Sequence, residues 1–153
     1  MKKYALVLVL FISVLTSCSI ENDDSTTFSL EVLPIESVEV PEQFIYGETY
    51  EIGVTYNKPN SCYQFNDFIY EIDGHERTIA VVNTVYSSQN GPCEPGPEEV
   101  TVHFDFMVTG TETYVFKFYQ GEDAGGTDQY YLVEVPVINE GDKTDESGGS
   151  VRQ

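Results

Sequence analysis

The sequence predicts an all-β domain, built as an antiparallel β-sandwich of about seven to nine strands. Two observations predict it. Apolar and polar residues alternate with a period of two, and turn residues interrupt that alternation at intervals of about ten residues. Beyond the N-terminal apolar run, no stretch shows the 3.6-residue period of an amphipathic helix. We assign the domain to residues 28–138.

The clearest alternation covers Tyr50 to Tyr56 and Val100 to Val108, where one side-chain face is expected to be buried and the other exposed. Tyr63 to Asp73 also alternates, but Phe65 is out of step, which indicates a β-bulge. Asp73-Gly74 is typical of a tight hairpin turn. Further strands are predicted at 28–32, 35–40, 78–86, 114–118 and 130–138.

Two long loops separate these strands. Ser87 to Glu99 contains three prolines, which exclude a central strand there. Gly121 to Asp128 is acidic and rich in glycine. Recognition residues are often carried on loops, so both segments are candidate binding regions. The strand at 78–86 is apolar on both faces, and its register therefore stays open.

The N-terminus has the pattern of a secretory signal. Lys2 and Lys3 precede about a dozen apolar residues, too few to span a membrane, so residues 1–17 are predicted to be a signal peptide. Leu15-Thr16-Ser17-Cys18 resembles the lipobox of bacterial lipoproteins. The resemblance implies cleavage before Cys18 and lipid on that cysteine, with two or more acyl chains as a stable anchor. The alternative is an ordinary signal peptide with an incidental cysteine.

Residues 18–27 are predicted to be an acidic tether. Ser19-Ile20-Glu21-Asn22-Asp23-Asp24 resembles the surface-export signal of Bacteroidota lipoproteins, which implies an outer-membrane lipid anchor and display on the cell surface. An acidic linker on a periplasm-facing protein is the alternative. Residues 139–153 are polar and rich in glycine and serine, and we predict a disordered tail.

The charge of the chain excludes whole classes of partner. The precursor has 7 basic and 26 acidic side chains, and loss of Lys2 and Lys3 leaves 5 against 26, a formal charge of −21. A nucleic-acid partner is excluded, because binding to phosphates requires basic side chains. Docking of the protein surface on anionic lipid is disfavoured for the same reason, whereas cations would be attracted.

Two cysteines remain once Cys18 carries lipid. In an oxidising compartment Cys62 and Cys93 are expected to form a disulfide, which would close a loop of about 30 residues and stabilise the fold by roughly 3–4 kcal/mol. Free thiols or a metal pair are the alternatives, but neither cysteine has another cysteine or a histidine at ligand spacing.

No catalytic or cofactor motif is present in the sequence, so we predict that the protein is not an enzyme and binds no cofactor. His75, in a predicted hairpin, and His103, on the polar face of a strand, are interpreted as surface residues. Glu122, Asp123 and Asp128 could provide hard oxygen ligands for calcium, although their loop lacks the EF-hand ligand order and also fits a solvated hairpin.

Gly110 to Phe116 resembles the turn-and-tyrosine segment of immunoglobulin-like sandwiches, in which the hydroxyl, here of Tyr114, bonds back to the loop. Phe116 stands where antibody domains have a cysteine, so the predicted disulfide is not their bridge between sheets. As a whole, the chain resembles small immunoglobulin-like Bacteroidota surface lipoproteins.

That resemblance implies a non-enzymatic, membrane-anchored binding or adhesion module whose ligand is unknown. A glycan-binding accessory module is one alternative, and a protein-interaction or protease-inhibitor module is another. The chain has no tryptophan, and the tyrosines at which an outward side chain is plausible are Tyr63, Tyr86 and Tyr119, although a core or sheet-edge role is the favoured interpretation for each.

Overall fold

The computed structural model describes residues 28–87 and 91–139, in which ten strands and no helix occur. The predicted all-β sandwich is therefore confirmed. No helix in the described ranges is long and apolar enough to cross a membrane. Cys18, the signal peptide, the tether and residues 140–153 of the tail lie outside the described residues. The strands are β1 (Phe28–Leu33), β2 (Ile35–Glu39), β3 (Phe44–Ile45), β4 (Thr49–Asn60), β5 (Tyr63–Asp73), β6 (Glu76–Tyr86), β7 (Pro95–Met107), β8 (Tyr114–Glu122), β9 (Asp128–Val135) and β10 (Val137–Ile138).

The strands form a five-stranded sheet, a three-stranded sheet and a short β3–β10 pair. In the five-stranded sheet, β5 pairs with β6 along one edge, and β1 and β8 share the other edge of β6. β9 pairs with β8 at the end of this sheet. The β6–β8 and β3–β10 pairings are parallel, and the other pairings are antiparallel. The three-stranded sheet has the order β2-β4-β7.

The core lies between the two larger sheets and is rich in aromatic side chains. Phe44 is fully buried, and its ring centroid lies 5.2 Å from that of Phe106 and 5.9 Å from that of Phe116. Their tilted and edge-on arrangement is the one that aromatic pairs prefer. The aliphatic residues of the core come from both sheets, namely Leu33, Ile35, Ile52, Val54, Ile79, Val81, Val108 and Val135.

The first two strands carry the chain from one sheet to the other. β1 belongs to the five-stranded sheet and β2 to the three-stranded sheet, with Pro34 between them. Proline has no N–H for a ladder, so it ends one pairing without leaving a donor unpaired. Leu33 and Ile35, on either side of it, are both buried in the core.

Tyr114 makes the contact expected from the immunoglobulin-like resemblance. Its hydroxyl oxygen accepts hydrogen bonds from the backbone N–H of Gly110 at 2.7 Å and of Thr109 at 3.3 Å. The ring itself is 1% exposed. The hydroxyl thus ties the loop before β8 to the core, and the predicted tyrosine contact is confirmed.

Two local predictions for β5 are also confirmed. The pairing of β5 with β6 shifts register between Phe65 and Asp67, at the position where the alternation indicated a bulge. At the other end of β5, Asp73 pairs with Glu76 across a two-residue turn. Gly74 has a φ of 56° there, a conformation that glycine adopts without the steric cost of a Cβ.

The loop prediction for Ser87–Glu99 is wrong at its C-terminal end, because β7 begins at Pro95. The prolines excluded a central strand, but β7 is an edge strand that pairs with β4 alone. An edge strand tolerates a missing N–H on its free side. The paired segment is stabilised further by a salt bridge of 2.9 Å between Lys58 and Glu98.

The predicted disulfide joins Cys62, in the turn between β4 and β5, to Cys93, two residues before β7. Their Cα atoms are 5.4 Å apart. Two backbone hydrogen bonds flank the disulfide. The N–H of Ser61 donates to the carbonyl of Glu94, and the N–H of Tyr86 donates to the carbonyl of Cys62. The bridge therefore fastens the segment before β7 to the β4–β5 turn.

Candidate functional site

The five-stranded sheet has an apolar surface on the side that faces away from the core, which we call the outer face. Phe28 is 62% exposed, Leu30 57% and Leu132 59%. An exposed apolar surface made by several neighbouring strands is typical of an interaction site rather than of an ordinary monomer surface. The apolar members of the outer face are Phe28, Leu30, Val32, Ile69, Ala80, Val82, Tyr86, Tyr119, Tyr130 and Leu132.

A depression of about 440 Å³ lies in the middle of the outer face. Tyr119 of β8 and Tyr130 of β9 are opposite each other in the register, and their ring centroids are 6.0 Å apart. Val32 and Ile69 form apolar walls of the depression, and the small side chain of Ala80 leaves space between Val32 and Ile69. The depression exists because a small residue of the central strand β6 is surrounded by larger ones.

Carboxylates line the same depression. Glu71, Glu122 and Asp128 all contribute to its wall. The hydroxyl of Tyr130 donates to the carboxylate of Asp128 at 3.3 Å. Burial and the negative charges of Asp128 and Glu122 raise the pKa of Tyr119 above its ordinary value. The Tyr119 hydroxyl therefore stays protonated at neutral pH and is able to donate a hydrogen bond to a ligand, whereas the Tyr130 hydroxyl already donates to Asp128.

One cation lies beside these acids. The Lys117 ammonium is 5.4 Å from the ring centroid of Tyr130 and 3.5 Å from the carboxylate of Glu76. The geometry thus offers two aromatic rings and three carboxylates around an open depression, with one ammonium packed against the ring of Tyr130. Such a mixture suits a ligand with an apolar face and several hydroxyl groups, because rings pack on the face and carboxylates accept the hydroxyl protons.

A second depression of about 510 Å³ continues the outer face toward the other end of β1. Phe28, Leu30 and Tyr86 line it together with Thr84. Phe28 lies directly opposite Tyr86 in the β1–β6 register, so the two aromatic side chains are neighbours on this face. The outer face therefore has aromatic side chains both near the middle of β6, at Tyr119 and Tyr130, and at its C-terminal end, which suits an elongated ligand.

The structure places the three tyrosines for which an outward side chain was plausible on two different faces. Tyr86 and Tyr119 lie on the outer face. Tyr63 packs against the core instead, and its hydroxyl donates to the carboxylate of Glu31 at 2.8 Å. The position of Tyr63 agrees with the core role that was the favoured interpretation, whereas Tyr86 and Tyr119 depart from it. The bulge between Phe65 and Asp67 adds a residue that reverses the alternation and puts Tyr63 on the same face as Phe68.

Phe28 and Leu30 are site residues that the sequence reasoning missed. They alternate with polar neighbours as core residues do, yet the core takes only Leu33 from β1. Tyr130 was missed for a different reason, since it begins the apolar run Tyr130-Tyr131-Leu132-Val133, in which no alternation separates the two faces of the strand. Alternation separates two faces of a strand without telling which one is covered, so no local signal identifies these three residues.

The acidic loop has two distinct parts. Oδ1 of Asp123 accepts the backbone N–H of Gly125 at 2.8 Å and of Thr127 at 3.0 Å, and these bonds lower the pKa of the Asp123 carboxyl group. Glu122 and Asp128 line the central depression instead. The three calcium candidates are therefore divided between two roles. No group of three or more His, Cys, Asp or Glu side chains within reach of one metal ion occurs among residues 28–87 and 91–139.

The two histidines lie on different sheets. His75 is in the β5–β6 turn, where its Nε2 contacts the carboxylate of Glu112 and its ring packs against Tyr114. His103 is exposed on β7, opposite Gly53 of β4. Both occupy surface positions, as their strand and turn patterns indicated.

No known protein family, curated protein or solved structure matches this chain.

Proposed function

We propose that the chain is the precursor of a lipid-anchored bacterial surface lipoprotein, and that its β-sandwich is a non-enzymatic binding module that holds a glycan on the outer face. The lipobox and the acidic tether support the anchor and the surface location. The outer face supports the binding role, because it combines exposed aromatic rings with carboxylates at a shallow, open depression. The anchor would leave this face free to meet an extended ligand.

The observation that carries the glycan class is the pairing of Tyr119 with Tyr130 in a depression that the carboxylates of Glu122 and Asp128 also line. Sugar rings have an apolar C–H face and a rim of hydroxyl groups, so they need aromatic surface and hydrogen-bond acceptors in the same place. The acids outnumber the one lysine beside them, which favours neutral or amine-bearing glycans over anionic ones.

A protein partner is the second candidate function, and the exposed β1 side chains favour it. Phe28 and Leu30 give the outer face an aliphatic and aromatic extension beyond the tyrosine pair. Aromatic side chains such as that of Phe28 are enriched at the centre of protein interfaces. A protein partner would depend mainly on Phe28 and Leu30, whereas a glycan would depend mainly on Tyr119 and Tyr130.

Affinity electrophoresis on soluble neutral and anionic polysaccharides tests the proposal. The processed chain, residues 18–153, would carry Cys18→Ser so that it is not lipidated. We expect retardation by at least one neutral polysaccharide, weakened about tenfold by Tyr119→Ala or Tyr130→Ala through the loss of ring packing. Tyr46→Ala is the matched control, since Tyr46 is exposed in the turn after β3, away from the outer face.

Two outcomes would refute the glycan assignment. One is retardation that Tyr119→Ala, Tyr130→Ala and Tyr46→Ala leave equally unchanged. The other is no retardation on any polysaccharide together with capture of a protein from envelope or host fractions, abolished by Leu30→Glu; that result would assign the outer face to a protein partner.

A further inference from the structure

The far side of the five-stranded sheet carries a second site, at the open edge of the sandwich between β5 and β7. A groove of about 380 Å³ lies there. Ile72, 66% exposed, and Met107, 60% exposed, line it together with Tyr70 and Phe106. Farther along the same edge, contacts between the rings of Phe68 and Phe104, 5.3 Å apart, join the two sheets. These side chains give the groove apolar walls, and the Phe68–Phe104 contact bounds it at one end.

A buried cation lines this groove. Arg77 of β6 is 7% exposed, although its neighbours in sequence along β6 include exposed side chains. Its Nη1 donates to the carbonyl oxygens of Gly74 at 2.8 Å and Glu76 at 2.7 Å. Its guanidinium carbon lies 5.0 Å from the ring centroid of Tyr114. Carbonyl dipoles and the aromatic ring hold the guanidinium in place in the free protein.

Arg77 differs from the other basic residues of the described ranges in having no acid partner. Lys58 pairs with Glu98 and Lys117 with Glu76, and both lysines are more exposed than Arg77. No salt bridge within residues 28–87 and 91–139 includes Arg77. Within those ranges Arg77 has no acid partner even though the chain has 26 acidic side chains. A buried guanidinium favours a carboxylate, which it can bind with two parallel N–H bonds.

We infer that the groove between β5 and β7 binds a small carboxylate that carries an aliphatic or aromatic group. The carboxylate would meet the guanidinium of Arg77, and the apolar group would cover Ile72 and Met107. Asp67 and Asp105 also line the groove and oppose any negative charge, so a ligand with one carboxylate in contact with Arg77 is favoured over one with further negative charges. This site lies on the opposite side of the sheet from the outer face and does not depend on the proposed glycan function.

Two sources share this chemistry, a short fatty acid and the C-terminus of a peptide. Hexanoate is the probe for the first and N-acetylphenylalanine for the second, and hexanamide and N-acetylphenylalanine amide are their uncharged counterparts. Each is titrated into the ¹⁵N-labelled processed chain with Cys18→Ser, in about 150 mM NaCl at pH 7, and backbone amide shifts are followed by NMR.

We expect at least one carboxylate to give saturable shifts at Ile72, Arg77 and Met107, with affinity at least tenfold higher than that of its amide. Response to hexanoate alone assigns an acyl source, and response to N-acetylphenylalanine alone assigns a peptide terminus. The inference is overturned if neither carboxylate shifts these signals or if the amides bind equally well.

Variants separate carboxylate recognition by Arg77 from non-specific apolar binding in the groove. Arg77→Gln should abolish the preference for the carboxylate over the amide. Because that variant removes a buried cation and could unfold the chain, Ile72→Glu provides an independent measurement at an exposed position. It should reduce carboxylate affinity at least tenfold by placing a negative charge beside the ligand. Leu132→Glu, on the outer face, is the matched control and should leave the affinity unchanged; equal loss in both variants would overturn the site.

Discussion

The Tyr114 hydroxyl offers a sharp test of the fold, because Tyr114→Phe removes one oxygen atom and leaves the ring. That oxygen accepts N–H bonds from Gly110 at 2.7 Å and from Thr109 at 3.3 Å. A hydrogen bond contributes about 1 kcal/mol on balance, and leaving a buried donor without a partner costs about 1–3 kcal/mol. The second contact is long, so we expect a total loss of about 2 kcal/mol.

Urea unfolding followed by circular dichroism measures this loss. With an m value of about 2 kcal/mol/M, the unfolding midpoint should fall by about 1 M while m stays unchanged. Tyr46→Phe is the matched control, since Tyr46 is exposed, and its effect should stay within about 0.5 kcal/mol.

A loss below about 0.5 kcal/mol for Tyr114→Phe would refute the reasoning. It would mean that water or the loop itself satisfies the two N–H groups as well as the hydroxyl does. A large loss accompanied by a lower m value would also count against it, because the variant would then have changed the compactness of one state rather than removed local bonds.

Three further predictions concern the bridge, the anchor and the acidic loop. Replacing Cys62 and Cys93 together by serine should lower the free energy of unfolding by about 3–4 kcal/mol in urea titrations, because their 31-residue separation no longer restricts the unfolded chain; an unchanged midpoint would contradict this. Cys18→Ser should move the protein from the membrane to the soluble fraction on an immunoblot, and retention in the membrane would refute the anchor. The pKa of Asp123 is lowered by the N–H bonds of its loop, so the charged carboxylate stabilises the fold above about pH 4 and this contribution is lost as the pH falls further. The difference in urea midpoint between the wild type and Asp123→Asn should accordingly shrink from pH 7 to about pH 3, and a constant difference would exclude that role.

The strand pattern and several local features could be predicted from the sequence because they depend on near neighbours. A bulge changes the alternation within one strand, so Phe65 indicated it directly. Gly74 marked the hairpin, because a residue with a left-handed conformation is usually glycine. The contact of Tyr114 with the loop was expected from the resemblance of Gly110 to Phe116 to the turn-and-tyrosine segment of immunoglobulin-like sandwiches.

The burial of Arg77 could not be predicted. Strand β6 is apolar on both sides, so the sequence left its register open. Arg77 also follows the charged Glu76, and two adjacent charged residues are typical of a surface position. Pairing with β5 and β8 turned Arg77 toward Phe106 and Tyr114. Those partners are distant in sequence, and no local pattern relates them to Arg77.

By itself, the sequence determined the all-β class, the positions of most strands, the Cys62–Cys93 pair and the strongly acidic charge. These follow from composition and from a two-residue period that a single strand already shows. Tertiary structure alone decided which face of each strand is covered. The core takes only Leu33 from β1, so Phe28 and Leu30 join Tyr119 and Tyr130 on the outer face. Burial depends on which strands pack above a sheet, and that is set by long-range pairing rather than by the alternation within a strand.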